Sequence, residues 1–234
     1  MKAVLSLLGL FGVLGLSHPA AAAPPRHIVA TYSLTAAGQP VAIDQETFTR
    51  TGARYRIESI TRAVGLLALF QKGSIRLTSA GTVTASGLEP LRFEEDRGAD
   101  PRRALSASFD WPTQRLTMRY DGKTEHARLV PGTQDRLSRM YQFLFMRHFG
   151  PRLRFAMTSG RSLERYSCHL VGRERLATPA GTFETLHYAK DRAPGERGFD
   201  VWLATTQAHF PVQVEMDQSD GMRLRQTITR LSIR

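Results

Sequence analysis

The chain has 234 residues and carries 32 Lys and Arg against 21 Asp and Glu, a formal net charge of +11. That length allows one domain with a substantial core, and a single cysteine, Cys168, excludes an internal disulfide. Of the basic residues 28 are Arg and 4 are Lys, scattered in pairs such as Arg102-Arg103 and Arg152/Arg154; without a dense basic tract, no nucleic-acid partner is expected. The arginine excess fits either GC-rich codon usage or a need for bidentate anion contacts.

Met1 and Lys2 precede an apolar run from Ala3 to Leu16 that ends at Ser17-His18-Pro19. The run is shorter than the ~20 residues a spanning helix needs and reads as the core of a signal peptide. Ala20-Ala21-Ala22 fits the small-x-small cleavage rule, so the expected organisation is a leader at 1–22 and a single β-rich domain at 23–234. The mature chain would have 212 of the 234 residues, a net charge of +10 once Lys2 is lost, and no transmembrane segment. With no cysteine directly after the leader no lipid anchor is expected, and the expected location is the periplasm of a Gram-negative envelope.

From Ile28 onward, apolar residues alternate in short runs divided by turn residues, the pattern of antiparallel strands with one buried face. Ile28, Ala30, Tyr32 and Leu34 form the first run and Val41, Ile43 and Phe48 the second, broken at Gly38-Gln39-Pro40. Tyr55 and Ile57 begin a third strand, and Ala63 to Phe70 is a short helical or turn segment expected to pack its leucines. Strands follow over 75–84, 88–94 and 105–111, where Leu105, Ala107, Phe109 and Trp111 share a face. Leu116, Met118 and Tyr120 lead into Asp121-Gly122, a type I′ hairpin signal, and 126–130 is the return.

Leu137, Met140, Tyr141, Leu144, Phe145 and His148 then recur at helical spacing. The expectation is one long helix from Thr133, its cap, to Phe149 before Gly150-Pro151, with Asp135, Arg136, Arg139 and Arg147 on the solvated face. The apolar stripe is read as core-packing rather than membrane-lying. Strands resume at Leu153–Met157, 166–171, 183–188, 201–203, 212–216 and from Met222 after Ser219-Asp220-Gly221. Apolar parity changes between Ile228 and Leu231, which predicts a bulge near Thr229 or Arg230. The charged, Pro- and Gly-containing stretch 191–198 is a candidate mobile loop.

No nucleophile elbow, paired-histidine zinc helix or nucleotide-binding glycine loop is present. No catalytic residue, metal site or cofactor is therefore expected. Cys168 reads as a small buried side chain rather than a reactive thiol.

Thr61-Arg62-Ala63-Val64-Gly65-Leu66-Leu67, Gly132-Thr133-Gln134-Asp135-Arg136-Leu137-Ser138, Thr158-Ser159-Gly160-Arg161, Thr178-Pro179-Ala180-Gly181-Thr182-Phe183 and Val201-Trp202-Leu203, in that order, resemble the exported proteobacterial family catalogued as domain of unknown function 3108. The resemblance implies a fold similar to the half-barrels of periplasmic lipoprotein carriers and brings no catalytic residues. The expected fold class is mainly β (α+β): a strongly curved antiparallel sheet or half-barrel with one long helix near its open face. The expected function is a binding or chaperone-like module for an amphiphilic, anionic envelope component, with a lipid, lipopolysaccharide or glycan ligand. The alternative is an envelope protein partner docked on a strand edge or helix face. Candidate ligand-binding residues are Gln134, Asp135, Arg136, Ser138, Tyr141, Arg161 and Trp111. Asp135 and Ser138 also read as helix braces, and Arg161 as a tight-turn arginine.

Overall fold

The computed structural model describes residues 25–70, 73–98, 104–218 and 221–234; the leader, its cleavage site and most of the Ser219-Asp220-Gly221 turn lie outside them. Fifteen strands form one sheet: β1 (His27–Ala36), β2 (Gln39–Thr51), β3 (Arg54–Ala63), β4 (Ser74–Thr84), β5 (Gly87–Asp96), β6 (Leu105–Asp110), β7 (Arg115–Tyr120), β8 (Lys123–Arg128), β9 (Gln134–Asp135), β10 (Arg152–Thr158), β11 (Leu163–Thr178), β12 (Gly181–Lys190), β13 (Phe199–Ala204), β14 (Phe210–Asp217) and β15 (Arg223–Ile233). Their spatial order is β8-β7-β6-β5-β4-β3-β2-β1-β15-β14-β13-β12-β11-β10-β9. The chain thus starts at the middle of the sheet, meanders out to one edge, crosses to the other edge over residues 129–133, and meanders back until β15 pairs with β1. Neighbours are antiparallel except β9 and β10.

The alternation read from the sequence is what buries the inner face. Leu105, Ala107 and Phe109 of β6 sit opposite Tyr120, Met118 and Leu116 of β7, and all but Tyr120 are buried. Asp121 and Gly122 both take positive φ, 49° and 72°, as a type I′ turn requires. The parity change in β15 is a bulge at Thr229: Thr31 pairs with Arg230 but Tyr32 with Ile228. Thr229 Oγ1 donates to the Thr31 carbonyl at 3.0 Å, so the extra residue is hydrogen-bonded.

Two expectations about helices are corrected. No long helix spans Thr133–Phe149. The segment contains β9, the five-residue helix α2 (Ser138–Gln142) and a 3-10 turn at Phe143–Phe145, after which Met146 is extended, at φ −78° and ψ 134°. The helical spacing of apolar residues is real, but it serves two apolar clusters at once. Leu137, Tyr141 and Leu144 enter the large cluster with Phe48, Phe93 and Phe210, while Phe143 enters a second one with Leu153, Tyr188, Val201 and Val214. A connection wedged between two clusters is bounded by packing rather than by caps. Thr133, the expected cap, instead donates to the Val130 carbonyl.

The other segment, α1 (Leu67–Phe70), was expected to pack its leucines. Leu66, Leu67 and Leu69 are instead 79, 39 and 70% exposed. No helix among the described residues is long and apolar enough to cross a membrane.

Candidate functional site

The crossing from β8 to β9 brings the middle of the chain against the inner side of β4 and β5. Gln134 donates from Nε2 to the Leu88 carbonyl at 2.8 Å, and Ser79 donates to Asp135 Oδ2 at 2.6 Å. Asp135 Oδ1 accepts the backbone N–H groups of Leu137 and Ser138 at 2.9 and 2.8 Å, and Ser138 Oγ in return accepts the Asp135 N–H at 3.0 Å. This reciprocal pair starts α2. Burial raises the Asp135 pKa, opposed by the bonds from Ser79, Ser138 and Leu137.

Tyr141 is fully buried, stacks on Phe48 at 5.4 Å and donates to Glu46 at 2.9 Å. Glu46 lies beside Asp44, which accepts from Ser59 at 2.7 Å. Burial, then the neighbouring Asp44, pushes the Glu46 pKa well above the usual carboxylate range, and burial also raises that of Asp44. Arg136 pairs with the buried Glu95 and lies 5.7 Å from the Phe93 ring. Arg161, in the β10–β11 turn, pairs with Asp121 of the β7–β8 turn and covers Tyr120, so it ties these two turns together. The turn that presents it needs Gly160: its φ is +87°, and a Cβ there would strike Leu105. Trp111 stands apart, stacked on Phe109 and donating from Nε1 to the Pro90 carbonyl at 2.7 Å. The seven sequence candidates therefore fall into a buried polar group (Gln134, Asp135, Ser138, Tyr141), two ion-paired arginines and an isolated tryptophan.

The side chain that the spacing argument misplaced is Arg139. Assigned to a solvated face with Asp135, it is 4% exposed. Its guanidinium lies 4.1 Å from the Phe155 ring centroid, 4.4 Å from Phe199 and 5.5 Å from Phe143. It makes no ion pair with any described residue, and Nη1 has no hydrogen-bond partner. Burial lowers its pKa to about 10, which leaves it charged at neutral pH. A buried cation without a carboxylate is costly, and stacking on rings offsets only part of that cost.

Arg139 lines two clefts. One, of about 580 Å³, is bounded by α2, the 3-10 turn, β10 and β11; its apolar wall is Phe143, Met146, Leu153 and Phe155. It also holds Arg154, Arg165 and Gln134, and its lining contains no Asp or Glu. The Gln134 Oε1, buried at this cleft, accepts no hydrogen bond. The second cleft, of about 770 Å³, adds Arg136, Arg161, Lys190 and Arg197, but with Glu164, Glu196 and Asp217 among them. The first thus combines positive charge without a lining carboxylate and an apolar wall in one space, with an unused acceptor buried at its lining. Among the described residues no group of three or more His, Cys, Asp or Glu could hold a metal ion.

The family model described as "Protein of unknown function (DUF3108)" matches residues 31–229. The chain belongs to that family. No curated protein matches this DUF3108 member. Among solved structures it is similar to a protein of Parabacteroides distasonis provisionally described as a lipoprotein, at 10% identity and a TM-score of 0.38, covering 89% of this chain and 96% of that one. It is also similar to a Bacteroides fragilis protein provisionally described as exported with a YmcC-like fold, at 10% identity and a TM-score of 0.34, covering 89% and 97%. A third, MucB in complex with MucA, has 7% identity and a TM-score of 0.16, covering 88% of each.

Proposed function

We propose that this DUF3108 protein is an exported, periplasmic binding module for an anionic amphiphile, and that the ligand's acidic group is received by Arg139. The observation that carries the reading is a buried guanidinium with no carboxylate partner, lining a cleft that has three arginines and no acidic residue. An acyl chain fits the wall of Phe143, Met146, Leu153 and Phe155. A hydroxyl on the head group suits the free acceptor of Gln134. A phosphoglycerol head on a single acyl chain satisfies all three features. The carrying charge is placed between rings rather than in water, where an incoming anion meets little competition from solvent.

The test compares lysophosphatidylglycerol with an uncharged monoacylglycerol of the same chain length, by fluorescence titration of wild type and Arg139→Met. A charge-assisted hydrogen bond is worth roughly 1.5–3 kcal/mol, or about 10–150-fold in affinity. Wild type is expected to prefer the anionic lipid by at least about tenfold, and Arg139→Met to lose that preference. Because the substitution removes an unpaired buried charge and keeps an apolar stem, its melting temperature should equal or exceed that of wild type. Equal binding of both lipids by wild type would refute the reading.

A further inference from the structure

The connection between β3 and β4 lies in a stretch of the chain without acidic residues. From Ser59 through Leu88 there is no Asp or Glu, and the charges present are Arg62, Lys72 and Arg76. At its tip the sequence Gly65-Leu66-Leu67-Ala68-Leu69 is exposed throughout, with Leu66 79% and Leu69 70% open to solvent. Exposed leucines in this number on one short loop are not what solubility or folding requires. The stem of the loop is well anchored: the Val64 N–H donates to the Val41 carbonyl at 2.9 Å and β3 and β4 pair over nine positions up to Arg62–Ser74. Gly65 takes a φ of +60°, which turns the chain outward at the start of the apolar stretch.

We propose that this loop is a membrane-contact tip that seats in the surface of an anionic phospholipid bilayer. Three features select a bilayer over a protein groove. The exposed leucines cover more than one side of α1, and a groove would match one stripe, whereas the acyl boundary wets an inserted tip on every side. The tip is a handful of residues, far short of the ~800 Å² per partner of a stable protein interface. Of its flanking cations Arg76 is paired with Glu58, but Arg62 is exposed and bonded to the neutral Gln45 at 3.4 Å rather than to a carboxylate; a cation at that level sits among anionic head groups. Since the connections of an antiparallel meander alternate between its two ends, this loop shares an end with the Arg161 turn and the 191–198 loop, beside the larger cleft that Arg139 lines.

The experiment is flotation of the full chain with vesicles of phosphatidylcholine alone or with 30 mol% phosphatidylglycerol, at low and high salt. Wild type is expected to float with the anionic vesicles at low salt and to be released as salt screens the head groups. Leu66→Ser/Leu69→Ser, which alters solvent-exposed positions, should reduce flotation at least tenfold with an unchanged melting temperature and unchanged lysophosphatidylglycerol binding. Arg62→Gln should reduce the preference for anionic over neutral vesicles. Arg139→Met should float like wild type, which separates this tip from the cleft. Absence of wild-type flotation, or a double-leucine variant that floats like wild type, would overturn the proposal. So would a leucine-dependent dimer in sedimentation velocity, which would put a second copy of the chain on the loop.

Discussion

Glu46 is a carboxyl group placed inside the apolar core of the sheet. It is buried against Asp44 and accepts from Tyr141, and its pKa is raised. A carboxyl group with a raised folded pKa binds more protons folded than unfolded, so it lowers stability as pH climbs from its unfolded value near 4 through the folded one, and the loss then levels off. Each unit of the upward shift costs about 1.4 kcal/mol above that range. Glu46→Gln mimics the protonated form and keeps an acceptor for Tyr141. Urea denaturation at several pH values should show the variant more stable than wild type at pH 7–8, with the difference vanishing by about pH 4. A variant less stable than wild type at pH 7–8, with the deficit vanishing toward pH 4, would mean that Glu46 is held as a carboxylate.

The element that sets the site is the crossing between the two halves of the sheet, and its hinge is Asp135. One carboxylate oxygen gathers the Leu137 and Ser138 N–H groups, and the other takes the Ser79 hydroxyl. Asp135→Ala leaves those donors buried and unpaired, and should cost roughly 2–4 kcal/mol in chemical denaturation. Asp135→Asn keeps an acceptor for the two N–H groups and should cost less than half as much. Indistinguishable losses would show that the charge, not the hydrogen-bond geometry, holds the hinge.

This is also where the sequence was hardest to read. Period-two runs such as Leu105-Ala107-Phe109 and the Asp121-Gly122 turn report directly on a sheet with one wet face, and the Thr229 bulge follows from a change in parity. Between Thr133 and Phe149 the apolar residues serve clusters on opposite sides of a thin connection, so their spacing mimics a long amphipathic helix. The same ambiguity hid Arg139, since an arginine on such a stripe is ordinarily solvated. The one local signal was Phe143 four residues on, which lies on the same side of α2 and faces the guanidinium.

At the scale of the molecule, one open curled sheet joins its first and last strands at the centre, and the edge strand β9 packs against β5. The Arg161–Asp121 ion pair links the β10–β11 turn to the β7–β8 turn, and the crossing chain packs into the large apolar cluster. The inner face is occupied by Phe93, Phe109, Tyr141 and Phe210, so the space offered to a ligand lies beside α2 rather than within the bowl. The placement of Arg139 follows from this packing: the connection is pressed between the two clusters, and one of its side chains is a cation with no carboxylate partner among the described residues. The most direct test is a crystal structure of the protein grown with lysophosphatidylglycerol. The account predicts the lipid phosphate within hydrogen-bond distance of the Arg139 guanidinium, with the acyl chain along Phe143 and Leu153. A lipid lodged elsewhere, with Arg139 paired to a carboxylate of the protein, would contradict it.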